Sequence, residues 1–178
     1  MSTLEKKQFP LKSLIIAALC IALGVVLPMA FHSIPEGGRI FSPMHIPVLL
    51  GGLVTGPILG LIIGILTPLL SHLVTGMPPT FVLPGMLVEL AAFGLVAGLL
   101  MKTLPLKMVA KTYIALIIAM VVGRVLAGTA HALFFTDGYT FNAFFTAYFV
   151  RALPGIALHI VLIPLVYFAL VKAKLAGD

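Results

Sequence analysis

From Pro43 to Val74 the chain reads PMHIPVLLGGLVTGPILGLIIGILTPLLSHLV, an apolar run without Asp, Glu, Lys or Arg. One helix needs roughly 20 apolar residues to cross a bilayer, and this run is longer. Gly56-Pro57 interrupts it near the middle, because proline cannot donate to a continuous helix and glycine marks a break. The run therefore predicts two helices, about 44–55 and 57–74. Apolar stretches at about 12–31, 83–101, 111–132 and 142–171 bring the count to six. Of the 178 residues 61% are hydrophobic and 9% are charged, against about 25% charged in soluble domains. The expectation is an all-α membrane protein of six transmembrane helices in one compact bundle, with 1–178 a single integral membrane domain. The connections at 32–42, 75–82, 102–110 and 133–141 (the last with an Asp137-Gly138 turn) leave no room for a separate nucleotide-binding domain. The run Ser13–Phe31 is too long for a signal-peptide core and lacks a small-x-small cleavage site, so it reads as a retained span. The single cysteine, Cys20, has no partner within the chain.

The basic residues orient these spans. Lys6, Lys7 and Lys12 precede the first span, Lys102, Lys107 and Lys111 surround the connection after the fourth, and Lys172 and Lys174 follow the last. Short loops rich in Lys and Arg stay on the cytoplasmic side. These three groups share one side only if the number of spans is even, which places both termini in the cytoplasm and leaves Arg39 alone on the opposite face. The net charge of +6 thus reads as membrane orientation, and nucleic acid is not an expected partner.

Gly52, Gly56, Gly60 and Gly64 recur every four residues, and Gly94 and Gly98 repeat the spacing in the fourth span. Such small-xxx-small rows let helix backbones approach closely in lipid. Packing within one bundle is the first reading and oligomerisation the second. Ala18 and Ala22 form a weaker row in the first span.

Ionisable residues inside spans are costly and mark functional positions. The orientation puts Glu89 about six residues below the outer end of its span, roughly 9 Å at 1.5 Å per residue. Arg124, His131, Tyr148, Arg151, His45 and His72 all fall in the same outer half, and only His159 lies deeper. The expected result is a binding cavity open to the outside. A buried pair of Glu89 with Arg124 or with Arg151 is the structural alternative, and it leaves one arginine over. Two histidines have the chemistry for a metal, but no His-x-x-x-His spacing supports a dedicated metal site. The chain carries no P-loop, no H-E-x-x-H and no G-x-S-x-G, so it is not expected to hydrolyse ATP or to act as an enzyme. A self-contained secondary transporter is the competing class, although no internal repeat is evident.

Three segments carry a resemblance: Phe41-Ser-Pro-Met-His-Ile-Pro-Val-Leu-Leu-Gly-Gly, Gly64-Ile-Leu-Thr-Pro-Leu-Leu-Ser and Thr75-Gly-Met-Pro-Pro. They resemble the substrate-binding S-components of energy-coupling factor (ECF) vitamin transporters of the bacterial plasma membrane. The resemblance implies a vitamin-binding subunit that works with a transmembrane coupling subunit and two cytoplasmic ATPases. ATP and Mg are then used by those partners, with no cofactor in this chain. It also implies toppling in the bilayer to deliver the vitamin, and a docking face at Ala18-x-x-x-Ala22. Met44, His45 and the Thr75–Pro79 segment look most like members for cobalamin or its dimethylbenzimidazole precursor. The two arginines suit a carboxylate vitamin such as pantothenate or niacin equally well.

Overall fold

The computed structural model describes residues 9–31, 37–134 and 140–176. Lys6, Lys7, the start of the 32–42 connection and the Asp137-Gly138 turn lie outside the described residues, as does the side chain of Arg39. The described residues are helical throughout, joined by turns. Five helices are long and apolar enough to cross a membrane: α1 (Leu11–Ala30), α4 (Pro57–Thr75), α5 (Leu83–Thr103), α6 (Met108–Phe134), and the stretch Asn142–Lys172. Two short helices lie between α1 and α4. One is α2 (Gly37–Phe41), inside the expected loop 32–42, and the other is α3 (His45–Thr55). At about 1.5 Å per residue α3 is roughly 16 Å long, about half a hydrocarbon core.

The break between α3 and α4 has a local cause. Gly56 sits at φ +87° and ψ −177°, a conformation that only glycine adopts readily. Pro57 then opens α4, where its fixed φ helps and its missing N–H is not required. At the other end of α4, Gly76 takes the left-handed conformation that ends the helix, and its N–H bonds back to the His72 carbonyl.

The last stretch is not the single helix expected over 142–171. It opens with α7 (Phe141–Phe145) and widens into a π turn over Thr146–Val150. It then resumes as α8 (Leu153–Lys172). The Arg151 N–H reaches the Thr146 carbonyl, five residues back, at 2.9 Å. Pro154 in the first turn of α8 cannot donate an N–H, so the helix re-forms at this point. Wide turns of this kind are frequent at functional sites.

Both ends of the described chain meet. The Lys12 ammonium donates to the Lys174 carbonyl at 2.8 Å, and the Tyr167 hydroxyl near the end of α8 reaches Met108 Sδ at the start of α6. The α3–α4 break lies at this same terminal end, against Gly98. The far end gathers α2, the start of α3, the 76–82 turn and α7. Gly155 opens α8 against the Ile40 and Phe41 carbonyls of α2, which seats α2 on the top of α8.

The glycine rows are a seam inside the bundle. A Cβ on Gly60 or on Gly52 would collide with the Gly94 carbonyl, one on Gly64 with the Leu90 carbonyl, and one on Gly98 with Gly56. α3, α4 and α5 therefore touch backbone to backbone, and Val48, Leu49, Ile63, Leu90 and Phe93 close the core beside them. Gly94→Val is expected to lower stability by about 3 kcal/mol, the upper end for overpacking. Gly38→Ala, where a Cβ would meet nothing within 4 Å, is expected to be neutral. Thermal unfolding in detergent checks the pair, and equal effects at the two positions would refute a tight seam.

Candidate functional site

Glu89 is the centre of a buried polar network and the only acidic residue among those described. It comes from α5, one turn inside Gly85. Its Oε1 lies 3.5 Å from His45 Nε2 and 3.7 Å from Arg124 Nε. Arg124 is 2% exposed and Glu89 7%, so neither charge is solvated. The guanidinium also donates through Nη1 to the Tyr148 carbonyl at 2.6 Å. That carbonyl belongs to the wide turn after α7, so Arg124 ties α6 and the turn to Glu89. A charge held this deep requires a partner of opposite sign and further hydrogen bonds. Arg124 has both, although its Nε meets no acceptor at hydrogen-bond distance among the described residues.

His159 extends the network to α2. Its Nε2 donates to the Ser42 carbonyl at 3.2 Å, and its ring stacks on His45 with centroids 6.0 Å apart and planes 17° apart. The rings of His45 and Phe93 meet edge to face, with centroids 5.3 Å apart. The line Ser42, His159, His45, Glu89, Arg124, Tyr148 thus joins α8, α3, α5, α6 and the wide turn to the residue that follows α2, at the far end of the bundle.

Around Gly85 a second layer lies one turn further out. A Cβ there would stand 3.3 Å from the Tyr148 hydroxyl and 3.5 Å from His131 Nδ1, so both rings flank this glycine. α7 is held down by Phe144, which packs on the bare backbone of Gly128. Phe144 meets Phe149 edge to face at 5.8 Å, and Phe145 stacks on Phe149 at 5.4 Å. Beside this aromatic cluster an open cleft of 370 Å³ is lined by Thr140, Asn142, Ala143, Thr146, Ala147 and Arg151.

The structure brings together His45, Glu89, Arg124 and the backbone of Tyr148, with His131 just above. Met44 is buried in the core at the head of α3. Two of the expected site residues lie outside this network. His72 donates from Nδ1 to the Pro78 carbonyl at 2.7 Å and closes the 76–82 turn. Arg151 is exposed in the cleft, and Arg124 is the partner of Glu89. His159, placed deeper by the sequence reading, belongs to the network itself. The α8 helix restarts only at Leu153, so His159 lies two turns below that restart; Pro154 was the signal. Ala18 and Ala22 are exposed on α1, whereas Ala17, Cys20 and Gly24 face the bundle.

The family model for the ECF transporter, substrate-specific component, matches residues 12–176. No curated protein and no solved structure matches the chain significantly. The family model covers every helix but the first residue of α1, including both halves of the polar network, and the chain belongs to the ECF transporter substrate-specific component family.

Proposed function

We propose that this chain captures a vitamin at the far end of its bundle and delivers it by toppling in a bacterial plasma membrane. Members of the family are substrate-binding transport subunits rather than enzymes, and they associate with a coupling subunit and an ATPase module. In this reading both termini are cytoplasmic and α3 with α4 supplies the second and third of six crossings. The far end then faces outside, with the site between α7, α5 and α6. The carrying observation is that the Glu89 network and the Arg151 cleft lie at one end of the bundle, opposite the Lys12–Lys174 junction. The partners hydrolyse ATP with Mg, and the exposed Ala18 and Ala22 face of α1 meets the coupling subunit. On resemblance, a cobalamin-type substrate comes first and a carboxylate vitamin second.

The test is titration of the purified chain with a vitamin panel, without ATP, followed by uptake in cells. One vitamin is expected to bind tightly by calorimetry, and uptake is expected only when coupling subunit and ATPases are co-expressed. No binding to any vitamin, or uptake by the chain alone in liposomes, would overturn the proposal.

A further inference from the structure

We infer that the α7 cleft recognises an anionic group through Arg151, and that the substrate is a small vitamin carrying a carboxylate. The inference rests on the S-component reading above and puts first the carboxylate vitamin that resemblance alone ranks second.

The two arginines at the far end have separate situations. Arg124 is buried and its charge is already matched by Glu89. Arg151 is exposed, lines the cleft, and has no carboxylate within 4 Å among the described residues, where Glu89 is the only acid and is engaged by Arg124 and His45. The rest of the wall is polar and uncharged or small. Thr140 accepts the Ala143 N–H at 3.2 Å through its hydroxyl oxygen, which leaves its own hydrogen to donate. Thr146 donates to Asn142 Oδ1 at 3.3 Å, which turns the Asn142 amide NH₂ group away from that bond as a further donor. The wide turn makes this wall: residues 142, 146, 147 and 151 are spaced by four or five and come to one side. A cation with neutral donors around it selects an anion, and the planar guanidinium fork matches a carboxylate through two parallel hydrogen bonds.

The cleft, of 370 Å³, lies within the range of small-ligand pockets, about 300 to 1,000 Å³. The segments that suggested a corrinoid are engaged internally. His45 faces Glu89, Met44 and Pro47 are buried, His72 holds Pro78, and Thr75 donates to the Ser71 carbonyl at 2.7 Å. Most of their residues build the fold at the far end, and of the Thr75–Pro79 segment Met77 stays exposed.

An arginine near the outer membrane surface also meets lipid phosphodiesters, so the experiment separates the two sources of anion. The full chain is placed in nanodiscs of phosphatidylcholine, with and without phosphatidylglycerol. It is titrated with nicotinate and pantothenate, with their uncharged counterparts nicotinamide and pantothenol, with cobalamin, and with dimethylbenzimidazole. One acid is expected to bind, its uncharged counterpart about 100-fold more weakly, and phosphatidylglycerol is expected to change the affinity by less than about 3-fold. Arg151→Gln is expected to lose about 100-fold for the acid, and Arg151→Lys to fall in between because it keeps the charge and loses the fork. Both side chains are exposed replacements, and an unchanged melting temperature confirms that they fold. Equal binding of acid and uncharged counterpart, full affinity in Arg151→Gln, or tight binding of cobalamin or dimethylbenzimidazole overturns this inference and leaves the S-component reading standing. Loss of acid binding in phosphatidylglycerol discs identifies a lipid site and overturns it too. Failure of the wild-type chain to bind any vitamin overturns the S-component reading itself.

Discussion

Glu89→Ala is expected to destabilise the chain by about 3–5 kcal/mol, the cost of leaving a buried charge without its partner. Arg124 is 2% exposed and keeps only the Tyr148 carbonyl once the carboxylate is gone. The Tyr148 carbonyl is neutral, and no other acid lies among the described residues. His45 Nε2 loses its partner in the same step, at a position 5% exposed. Glu89→Gln keeps the shape and a hydrogen-bond acceptor, so it is expected to cost less. The double replacement Glu89→Leu with Arg124→Met is expected to recover most of the stability, because removing both charges also removes their desolvation. Thermal unfolding of the four proteins in one detergent measures the series. A Glu89→Ala protein as stable as wild type, or a double variant no better than the single, would show that the pair is not the clamp described.

Bulky residues at Ala18 and Ala22 are expected to abolish uptake while leaving vitamin affinity unchanged. Both alanines are exposed on the outward side of α1, among Leu14, Ile15, Leu19, Leu23 and Val26. α1 is the least buried of the long helices. The inward side is made by Ala17, Cys20 and Gly24, and a Cβ on Gly24 would strike the Thr67 methyl. Trp at 18 and 22 therefore alters a surface and not the core. Small residues allow close backbone approach by a second helix, and two indoles hold it several ångströms away. Uptake of labelled vitamin in cells that co-express the coupling subunit and ATPases is expected to fall to background, with binding by the purified variant within about 2-fold of wild type. Uptake at the wild-type rate would remove this face as the docking surface. The same substitutions at Ala17 and Cys20 are expected to impair folding instead.

The membrane character of the chain was legible because bilayer length and apolar composition leave few options. Gly56-Pro57 ended its helix where the pattern indicated, since glycine at positive φ and proline at a first turn act through the local backbone alone. The glycine rows were legible as packing for the same reason: a missing Cβ is a property of the residue. The site was only half legible. Depth along a span follows from counting, so His45, Glu89, Arg124 and Tyr148 were found at one level.

Which of these groups meet was decided by tertiary structure. Arg124 and Arg151 lie at similar depth in sequence, yet one is buried against Glu89 and the other opens on a cleft. The cause is the wide turn at Thr146–Val150, which rotates the chain between Tyr148 and Arg151 and turns the Tyr148 carbonyl to Arg124. His159 joined the network and His72 left it because the rotation of each helix about its axis depends on the neighbours it packs against. By itself the sequence determined that the chain is built of apolar helices, that one break falls at Gly56-Pro57, and which residues lie near one end. The pairing of charges, and so which arginine opens on the cleft, was set by packing, because a buried charge takes the partner that geometry brings within reach.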